Sequence, residues 1–467
     1  MASIDRGDLI TLDIEKFADK GKSLARRDGY VVFVEDAVPG DRVKAYVYRA
    51  KKNYAEATID TVIAPSDLRT TPRCRYADTC GGCQWQHVDY AAQCEAKQQS
   101  VAEAFQYQSD FDAVDVRPII GADTTFRYRN RMDFDFSADR WLTRDEIDSG
   151  QDFDTDFALG LHVPGNFRKV IDLQECHLPN EVTERLLNGI REVVKARGWS
   201  VRDHGANTGF LRQLIVRTGT HTGDVMVHLV TAGGAPERIA TLGDILQDKF
   251  PEVTTFVHTV HAGRGPTPPH TADVVFGPGV IRERIGGLDC RISPHAFFQP
   301  NTRQAERLYD VVREAAALQS TDVLYDLYCG AGTIGLSMAD AVEQVVGIER
   351  NTPAVEDARA NAAANAIANA TFVAGDARDH VTDALVDAQG APDVLVVDPP
   401  RPGLHNDVTA RIAALAPERF VYVSCNPQTQ VRDLDRLHDA YAIEWVQPVD
   451  MFPHTVHIET VAALRRR

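Results

Sequence analysis

Short runs in which apolar and polar residues alternate fill the first 64 positions of the chain. The runs are LITLDIEKF, GYVVFVEDAV, DRVKAYVYRA and YAEATIDTVI, separated by Gly, Asp and Asn residues. Alternation with a period of two indicates strands that bury one face. Several short strands at this spacing predict a small β-barrel of the OB type over residues 1–64, and Pro65 and Pro72 mark its end.

A different pattern follows residue 305, where strand-like apolar runs alternate with helix-like segments. The pattern predicts helices near 304–318, 333–341 and 353–368, and strands at 323–327, 345–349, 394–397, 420–424 and 443–447. Repeated βαβ order predicts a parallel, doubly wound sheet of the Rossmann-like type.

The stretch between these regions mixes both patterns. Residues 88–109 have apolar residues at helical spacing, whereas RNRMDFDFS and RQLIVRTG alternate like strands. Residues 144–156 are acidic and 263–270 are rich in Gly and Pro, so both are expected to be loops. A chain of 467 residues exceeds one ordinary core. We therefore predict three domains, with a barrel at 1–64, a central α+β domain at 65–290 and an α/β domain at 291–467.

The chain shows no signal of a membrane protein or a secreted protein. It has no apolar run of the roughly 18 residues that a membrane span needs. Its N-terminus, MASIDRGDLITLDIEKF, is acidic and lacks an apolar core segment. We therefore expect a cytoplasmic protein whose eight cysteines are reduced, with metal or catalytic work favoured over disulfides.

The charge balance is strongly acidic, with a formal net charge of −17 at pH 7. This balance argues against a broad basic nucleic-acid footprint but says little about a local site. Only ten of the fifty basic residues are Lys. An acidic surface poor in Lys would suit a high-salt cytoplasm, and Arg is the better bidentate ligand for phosphate.

A glycine-rich turn follows the first strand of the C-terminal pattern, in VLYDLYCGAGTIGL (323–336). Gly330 and Gly332 let the backbone come close to a ligand, and Glu349 ends the next strand, where it can hydrogen-bond a ribose. Because the turn is not G-x-G-x-x-G, S-adenosylmethionine is favoured over a nicotinamide cofactor. Asp376 follows a third strand, and it is either an adenine contact or a helix N-cap.

Two later strands end in reactive residues. Asp398 follows VLVV, and Cys425 follows FVYVS. Because open parallel sheets bind ligands at the carboxyl ends of their strands, both side chains should face the cofactor crevice. A lone Cys in an apolar run is more often a core residue, but Cys425 lies past its run and before Asn-Pro.

Three cysteines are clustered as C-x5-C-x2-C, namely Cys74, Cys80 and Cys83. Cys176 is a candidate fourth ligand, and the adjacent His177 is a minor rival. Four thiolates can hold an Fe–S cluster or a structural Zn, and the spacing does not decide between them. The other cysteines, Cys94, Cys290 and Cys329, are interpreted as packing residues.

Two basic segments are candidates for RNA contacts. Arg127, Arg129 and Arg131 alternate in FRYRNRMDF, which on a strand would place three guanidinium groups on one face and Tyr128 on the other. YRAKKNY (48–54) in the barrel is the second candidate. In both cases a merely solvated face is the alternative.

Five motifs together resemble the RNA uracil-5 methyltransferase family. In chain order they are SPHAFFQPN (293–301), DLYCGAGTIGL (326–336), DPPRPGL (398–404), SCNP (424–427) and HTVHIE (454–459). The resemblance covers nearly the whole chain, because the N-terminal barrel is similar to the family's TRAM domain. It implies an α/β methyltransferase domain and S-adenosylmethionine as cofactor.

The resemblance also implies roles for individual residues. Cys425 would be the nucleophile and Glu459 the general base. The S-adenosylmethionine site would be lined by Gln299, Tyr328, Glu349, Asp376 and Asp398, and a [4Fe–4S] cluster, rather than Zn, would be held by Cys74, Cys80, Cys83 and Cys176. The family often has Phe at Tyr328 and Asn at Thr333 and Asp376, which puts the last two in doubt.

The implied activity is methylation of carbon 5 of a uridine through a covalent adduct with Cys425. The branch with a TRAM domain and a cysteine cluster implies 23S ribosomal RNA as the target, with transfer RNA as the alternative. We expect a monomer whose helix near 88–118 packs on the catalytic domain. An amino-methyltransferase is a rival, but such enzymes favour an aromatic residue where Arg401 stands. A non-catalytic RNA-binding assembly factor is a second rival, against which the retention of Cys425 and Glu459 weighs.

Overall fold

The computed structural model describes residues 4–108, 111, 113–265, 269 and 271–467. Its N-terminal part is a six-stranded sheet formed by the alternating runs. The strands are β1 (Leu9–Asp13), β2 (Lys16–Phe17), β3 (Ser23–Arg27), β4 (Tyr30–Glu35), β5 (Arg42–Ala50) and β6 (Tyr54–Ala64). Their order is β1-β5-β6-β4-β3-β2, and the buried side chains of alternate positions form an apolar core of their own.

Helix α1 (Tyr90–Gln108) joins this sheet to the rest of the molecule. Val101, Ala104 and Phe105 on one side of α1 pack with Tyr325 and Tyr422 of the C-terminal sheet. The chain thus crosses from the N-terminal sheet to the C-terminal one long before the C-terminal strands occur in sequence. Positions 109, 110 and 112 of the helical segment predicted near 88–118 lie outside the described residues.

The central region is a second six-stranded sheet with two long helices. Its elements are β7 (Arg131–Ser137), β8 (Arg140–Trp141), α2 (Arg144–Asp148), β9 (Ala158–Gly160), β10 (His162–Val163), β11 (Asn166–Ile171), α3 (Glu181–Ala196), β12 (Leu211–Thr218), β13 (Val225–Thr231), α4 (Pro236–Lys249), β14 (Thr255–Val260) and β15 (Asp273–Phe276). The sheet order is β15-β14-β13-β12-β7-β9. Leu186 of α3 and Leu242 of α4 pack with Leu214 and Val227 of the sheet.

Two segments of this region, 144–156 and 263–270, were predicted to be loops. The acidic stretch 144–156 is not all loop, because α2 begins in it. Thr143 accepts a hydrogen bond from the Glu146 backbone, and the Glu146 side chain accepts one from the Thr143 backbone, which is a capping box that the acidic composition concealed. In the loop predicted at 263–270, positions 266–268 and 270 lie outside the described residues.

The C-terminal region is the predicted α/β sheet with its helices. Its elements are β16 (Ile281–Ile285), β17 (Leu288–Ile292), α5 (Thr302–Ala316), β18 (Val323–Leu327), α6 (Thr333–Ser337), β19 (Gln344–Glu349), α7 (Thr352–Ala364), β20 (Ala370–Ala374), α8 (Ala377–His380), α9 (Asp383–Gln389), β21 (Val394–Val397), α10 (Asn406–Leu415), β22 (Arg419–Ser424), α11 (Pro427–Asp435), β23 (Tyr441–Val449) and β24 (Glu459–Arg466). The seven-stranded sheet has the order β20-β19-β18-β21-β22-β24-β23. The strand order reverses between β18 and β21, which places a ligand crevice at their carboxyl ends.

The prediction of a fully parallel sheet is wrong at one edge. Strands β18 to β22 run parallel, but β24 is antiparallel to both β22 and β23. The last strand enters between β22 and β23, so its first residue, Glu459, lies at the edge where β22 ends. The α/β class is confirmed, and among the described residues no helix is long and apolar enough to span a membrane.

Candidate active site

The glycine-rich turn after β18 is held open by left-handed backbone conformations. Tyr328, Gly330 and Gly332 have φ angles of 64°, 54° and 77°. A Cβ atom on Gly332 would lie 2.9 Å from the Phe372 ring, so a side chain does not fit there. The backbone N–H of Gly330 donates to Oε2 of Glu349 at 3.1 Å, which orients that carboxylate at the end of β19.

Three of the predicted cofactor residues meet beside this turn. Burial raises the pKa of the Tyr328 hydroxyl to about 12, and the neighbouring charges of Asp376, Asp433 and Glu349 contribute to the rise. Asp376 is the N-cap of α8, where its carboxylate accepts from the Arg378 backbone at 3.0 Å. The N-cap interpretation of Asp376 is therefore confirmed, and the carboxylate lies near Tyr328.

The candidate catalytic residues lie at the ends of strands β21, β22 and β24. Asp398 follows β21 and Cys425 follows β22, while Glu459 begins β24. Antiparallel pairing of Ser424 with Thr460 leaves Cys425 and Glu459 as the next opposed positions. Cys425 is partly exposed, whereas Glu459 is buried. The structure thus brings a thiol and two carboxyl groups together at one edge of the sheet.

Burial raises the pKa values of all three groups, and for Cys425 and Glu459 the neighbouring carboxyl groups add to the rise. The pKa of the Cys425 thiol is raised to about 11 by burial and by the charges of Glu459 and Asp398, with Arg401 opposing. Burial and Asp398 raise the pKa of Glu459 well above its ordinary value. Burial raises the pKa of Asp398 to about 7. Such clustered shifts are typical of sites that move protons.

Asp326 is a residue that the sequence analysis missed. It lies in β18 beneath the glycine-rich turn, and its Oδ2 accepts from the Gly335 backbone at 2.9 Å. The other carboxylate oxygen, Oδ1, is buried without a hydrogen-bond partner among the described residues. Burial, with Asp398 and Glu349 nearby, raises its pKa to about 7. A carboxyl group within an otherwise apolar strand was the sequence signal that could have identified Asp326.

Gln299 lies in the segment 293–301 between β17 and α5, and its side chain is buried. Asn301, from the same segment, caps α5 and donates to the Met451 carbonyl at 3.1 Å. Ser293 donates to Asp357 of α7 at 2.6 Å. Both bonds tie the segment to the C-terminal domain. Phe297 within it is 65% exposed, an unusual position for an aromatic ring beside a crevice.

The segment before Glu459 is held by other parts of the chain. Gln93 of α1 accepts from the His454 backbone at 2.9 Å, and Lys97 of α1 donates to Asp450 at 2.7 Å. Tyr128, which the strand pattern placed on the face opposite the three arginines, is buried and donates to the Pro453 carbonyl at 3.1 Å. The position of β24, which begins at Glu459, therefore depends on α1 and on the central region.

The four predicted cluster cysteines are neighbours, although Cys176 is distant in sequence. Burial raises the pKa of Cys80 and of Cys176 to about 12 and that of Cys83 to about 11, and all four thiols influence one another, including Cys74. Four sulfur donors suit a thiophilic group. Within the described residues, no set of three or more His, Cys, Asp or Glu side chains is arranged to hold a single metal ion.

The neighbouring His177 has other contacts. Its Nε2 lies 3.7 Å from Glu175, and its ring packs edge-on against Phe126. Among the remaining cysteines, Cys290 and Cys329 are buried in the apolar core of the C-terminal domain.

The predicted arginine row does not form. Strand β7 begins only at Arg131, and Arg127 has a φ of 57°, so the alternation of side chains is broken before the strand. Arg127 donates to the carbonyl of Cys176 at 2.9 Å, and Arg129 donates to the carbonyl of Arg131 at 3.0 Å. Arg131 itself pairs with Asp133 at 2.9 Å. Arg127 therefore holds the loop that carries Cys176.

A doubly wound sheet with an open glycine turn and carboxylates at its carboxyl edge is typical of S-adenosylmethionine-dependent methyltransferases. The chain is 38% identical to an RNA methyltransferase of Bacteroides thetaiotaomicron over 96% of this chain and 100% of that protein. It is 39% identical to one of Chlorobaculum tepidum over 99% of this chain and 97% of that protein. The family model for tRNA (uracil-5-)-methyltransferases matches residues 286–467. The chain belongs to the RNA uracil-5 methyltransferase family.

Two further comparisons agree with this assignment. The TRAM domain model matches residues 5–59 of the N-terminal sheet. The crystal structure of the Pyrococcus abyssi tRNA (uracil-54, C5)-methyltransferase with S-adenosyl-L-homocysteine is similar at a TM-score of 0.75 and 28% identity, over 97% of this chain and 100% of that one. The resemblance drawn from the five motifs is confirmed, as is S-adenosylmethionine as the cofactor.

Proposed function

We propose that this enzyme methylates carbon 5 of a uridine in RNA through a covalent bond between Cys425 and carbon 6 of the uracil. The observation that carries the proposal is the opposition of Cys425 and Glu459, with Asp398 beside them. A nucleophile and a general base within reach of one ring are what this reaction needs.

The chemistry assigns each residue a step. Carbon 5 of uracil is a weak nucleophile, and addition of the Cys425 thiolate to carbon 6 turns the ring into an enolate whose carbon 5 can accept a methyl group. S-adenosylmethionine supplies that methyl as an electrophile. Glu459 then removes the proton from carbon 5, and the bond to Cys425 breaks as the ring double bond re-forms. Asp398 lies where it can hold the polar edge of the uracil.

The remaining polar groups of the crevice fit the cofactor. We assign Gln299, Tyr328, Glu349, Asp376 and Asp398 to S-adenosylmethionine. The orientation of Glu349 by Gly330 suits a ribose, and the position of Asp376 beside Tyr328 suits the adenosine end. Because the reacting uracil must reach Cys425, the target uridine is single-stranded or leaves its stack.

The raised pKa values of Cys425, Asp398 and Glu459 fit a site that binds a cationic ligand. Without ligand, burial favours the neutral forms of Cys425, Asp398 and Glu459. A positive charge among these groups lowers their pKa values. Binding of the cofactor therefore favours the deprotonated form that Glu459 needs to act as a base.

We propose 23S ribosomal RNA as the target, because the chain combines a TRAM domain with four gathered cysteines. Transfer RNA is the second candidate, favoured by the similarity to the Pyrococcus abyssi enzyme. The test is incubation of the anaerobically purified protein with labelled S-adenosylmethionine and unmodified ribosomal or transfer RNA, followed by mass spectrometry of the nucleosides. Labelled 5-methyluridine in ribosomal RNA supports the proposal. Label in another nucleoside overturns the uracil mechanism.

We also propose that Cys74, Cys80, Cys83 and Cys176 hold a [4Fe–4S] cluster. Four thiols drawn from two distant stretches of the chain match the ligand number of a [4Fe–4S] cluster, and the family resemblance favours the cluster over Zn. The cluster would act as a structural link, because Arg127 and the backbone of Gln84 connect its loops to the central region and to His454. Iron and acid-labile sulfide in the anaerobic protein that are lost in Cys176→Ser would support the cluster; bound Zn without iron would refute it.

A further inference from the structure

A cavity of about 370 Å³ opens beside Cys425, on the side that faces the N-terminal sheet. We call it the junction cavity, because three separate parts of the chain line it. These are the turn at Phe17–Lys20, the part of α1 between Ala96 and Glu103, and the C-terminal segments that contain Arg401, Cys425 and Val456. Its volume lies within the roughly 300–1,000 Å³ that is usual for small-molecule sites.

The junction cavity adjoins the crevice described above, and the two share Cys425. Glu459, Asp398 and Glu349 do not line the cavity, although Arg401, which does, lies near the carboxyl group of Glu459. The cavity therefore extends from Cys425 toward the N-terminal sheet. Since RNA is a continuous chain, a nucleotide next to the bound uridine must leave the crevice past the residues around Cys425.

The walls of the cavity are fixed in place. The Phe17 ring packs on Trp85 with 5.0 Å between ring centroids, and Lys16 pairs with Glu103 of α1 at 3.1 Å. Gly21, with a φ of 80°, lies so close to Val456 that a Cβ atom there would be 3.1 Å from a methyl group of that valine. The turn of the N-terminal sheet is therefore seated against α1 and against the segment before Glu459.

The charges in the cavity suit a phosphodiester. Lys20 and Arg401 are exposed at it, and neither has an ion-pair partner within the described part of the chain. Of the carboxylates that line the cavity, Glu103 is already paired with Lys16, which leaves Asp19 against Lys20 and Arg401. Arg401 also lies near the carboxyl group of Glu459, which is outside the lining. A local excess of positive charge is notable in a protein of net charge −17, and such cations hold phosphates.

The neutral polar side chains of the junction cavity are suited to hydrogen bonds with the edge of a base. Ser100 and Gln428 project hydrogen-bonding groups at the cavity, and Gln99 lies beside them with one donor on Glu103 at 3.1 Å. Hydroxyl and amide groups of this kind read the edges of unstacked bases.

We propose that the junction cavity binds a nucleotide adjoining the target uridine, with its phosphate between Lys20 and Arg401 and its base toward Ser100 and Gln428. This inference rests on the proposed methylation of RNA. It makes the N-terminal sheet and α1 contributors to the selection of the uridine, because the neighbouring nucleotide has to fit between them.

The first test removes the charge of Lys20 without straining its backbone. Lys20 has a φ of 61°, and Asn tolerates that conformation, so the variant is Lys20→Asn. The control is Lys44→Asn, an exposed lysine of the same sheet outside the cavity. On a single-stranded RNA that wild type methylates, KM is measured against salt concentration. Loss of one phosphate contact should raise KM and lower the slope of log KM against log salt by about 0.7.

The second test fills the cavity. Ser100→Tyr should raise KM on the order of tenfold while kcat changes less than twofold, which corresponds to lost ground-state binding. Ala91→Tyr, on an exposed α1 position outside the cavity, is the control. An RNA that lacks the base next to the target uridine should erase the difference between Ser100→Tyr and wild type.

The outcomes separate this inference from the proposed function. Active wild-type enzyme with both variants indistinguishable from their controls overturns the inference alone, and so does a fall in kcat without a change in KM. Wild-type protein that forms no 5-methyluridine in any RNA overturns the proposed function, and the inference with it.

Discussion

Glu459 stands opposite Cys425 across the junction of two antiparallel strands. The register pairs Ser424 of β22 with Thr460 of β24, and the next position along each strand is Cys425 or Glu459. A uracil ring bound at this edge can therefore meet the thiol and the carboxyl group from one enzyme surface.

Glu459→Gln should trap the covalent complex that Cys425→Ala cannot form. The amide keeps the shape of the buried side chain but cannot take the proton from carbon 5, so the methylated adduct persists. We expect a band of protein linked to RNA on a denaturing gel for Glu459→Gln, with turnover reduced on the order of 10²–10⁴-fold. Cys425→Ala should give neither band nor product. A Glu459→Gln variant that turns over normally would remove Glu459 from the reaction.

Binding of S-adenosylmethionine should release protons near pH 7. The pKa of Asp398 is raised to about 7 in the free site, so the carboxyl is partly protonated there, and the cofactor's sulfonium charge lowers that pKa. By linkage, affinity should rise as pH increases toward about 7 and then level off. Calorimetry in two buffers of different ionisation enthalpy measures the proton release. S-adenosylhomocysteine, which lacks the sulfonium charge, is the control; equal release with both ligands would contradict the prediction.

Asp326→Asn should change the pH dependence of stability. Burial raises the pKa of Asp326 from 3.8 to about 7, so between these values the folded protein binds more protons than the unfolded chain. The free energy of unfolding therefore falls as pH rises through that window. Above pH 7 the whole loss of stability caused by ionising the buried Asp326 is present. Denaturant unfolding at pH 5 and pH 8 should show a smaller loss for Asp326→Asn than for wild type. The exposed Asp340→Asn should behave like wild type, and parallel curves for all three proteins would refute the role of Asp326.

Lys97→Met should destabilise the protein strongly. Lys97 and Asp450 form a buried ion pair with 1% and 0% exposed side chains, and loss of the cation leaves Asp450 buried without it. Removal of one partner from such a pair costs about 3–5 kcal/mol. Lys169→Met, which breaks an exposed pair with Asp139, should change the free energy of unfolding by about 0.5 kcal/mol or less. Similar losses in both variants would show that α1 is not anchored through Lys97.

Much of the fold follows from local pattern. Strands β18, β21 and β22 are apolar runs that are buried along their length, and the alternation in β5 buries one face, so period and composition were sufficient to predict them. The placement of Asp398 and Cys425 at strand ends follows from chain order alone. The arginine row failed because a residue with positive φ, Arg127, interrupts the extended backbone, and alternation does not reveal such a residue.

Periodicity and motif order were sufficient to predict the class of sheet, the glycine turn, the position of Asp398 and Cys425 at the ends of β21 and β22, and the family. Tertiary structure decided which of these residues meet. Glu459 faces Cys425 because β24 inserts antiparallel beside β22, Cys176 joins Cys80 across the central region, and the turn at Lys20 reaches the edge of the Cys425 site. Each of these contacts joins positions far apart in the chain. Local periodicity records only which side of an element is buried, whereas the partner of that side is set by the packing of the whole molecule.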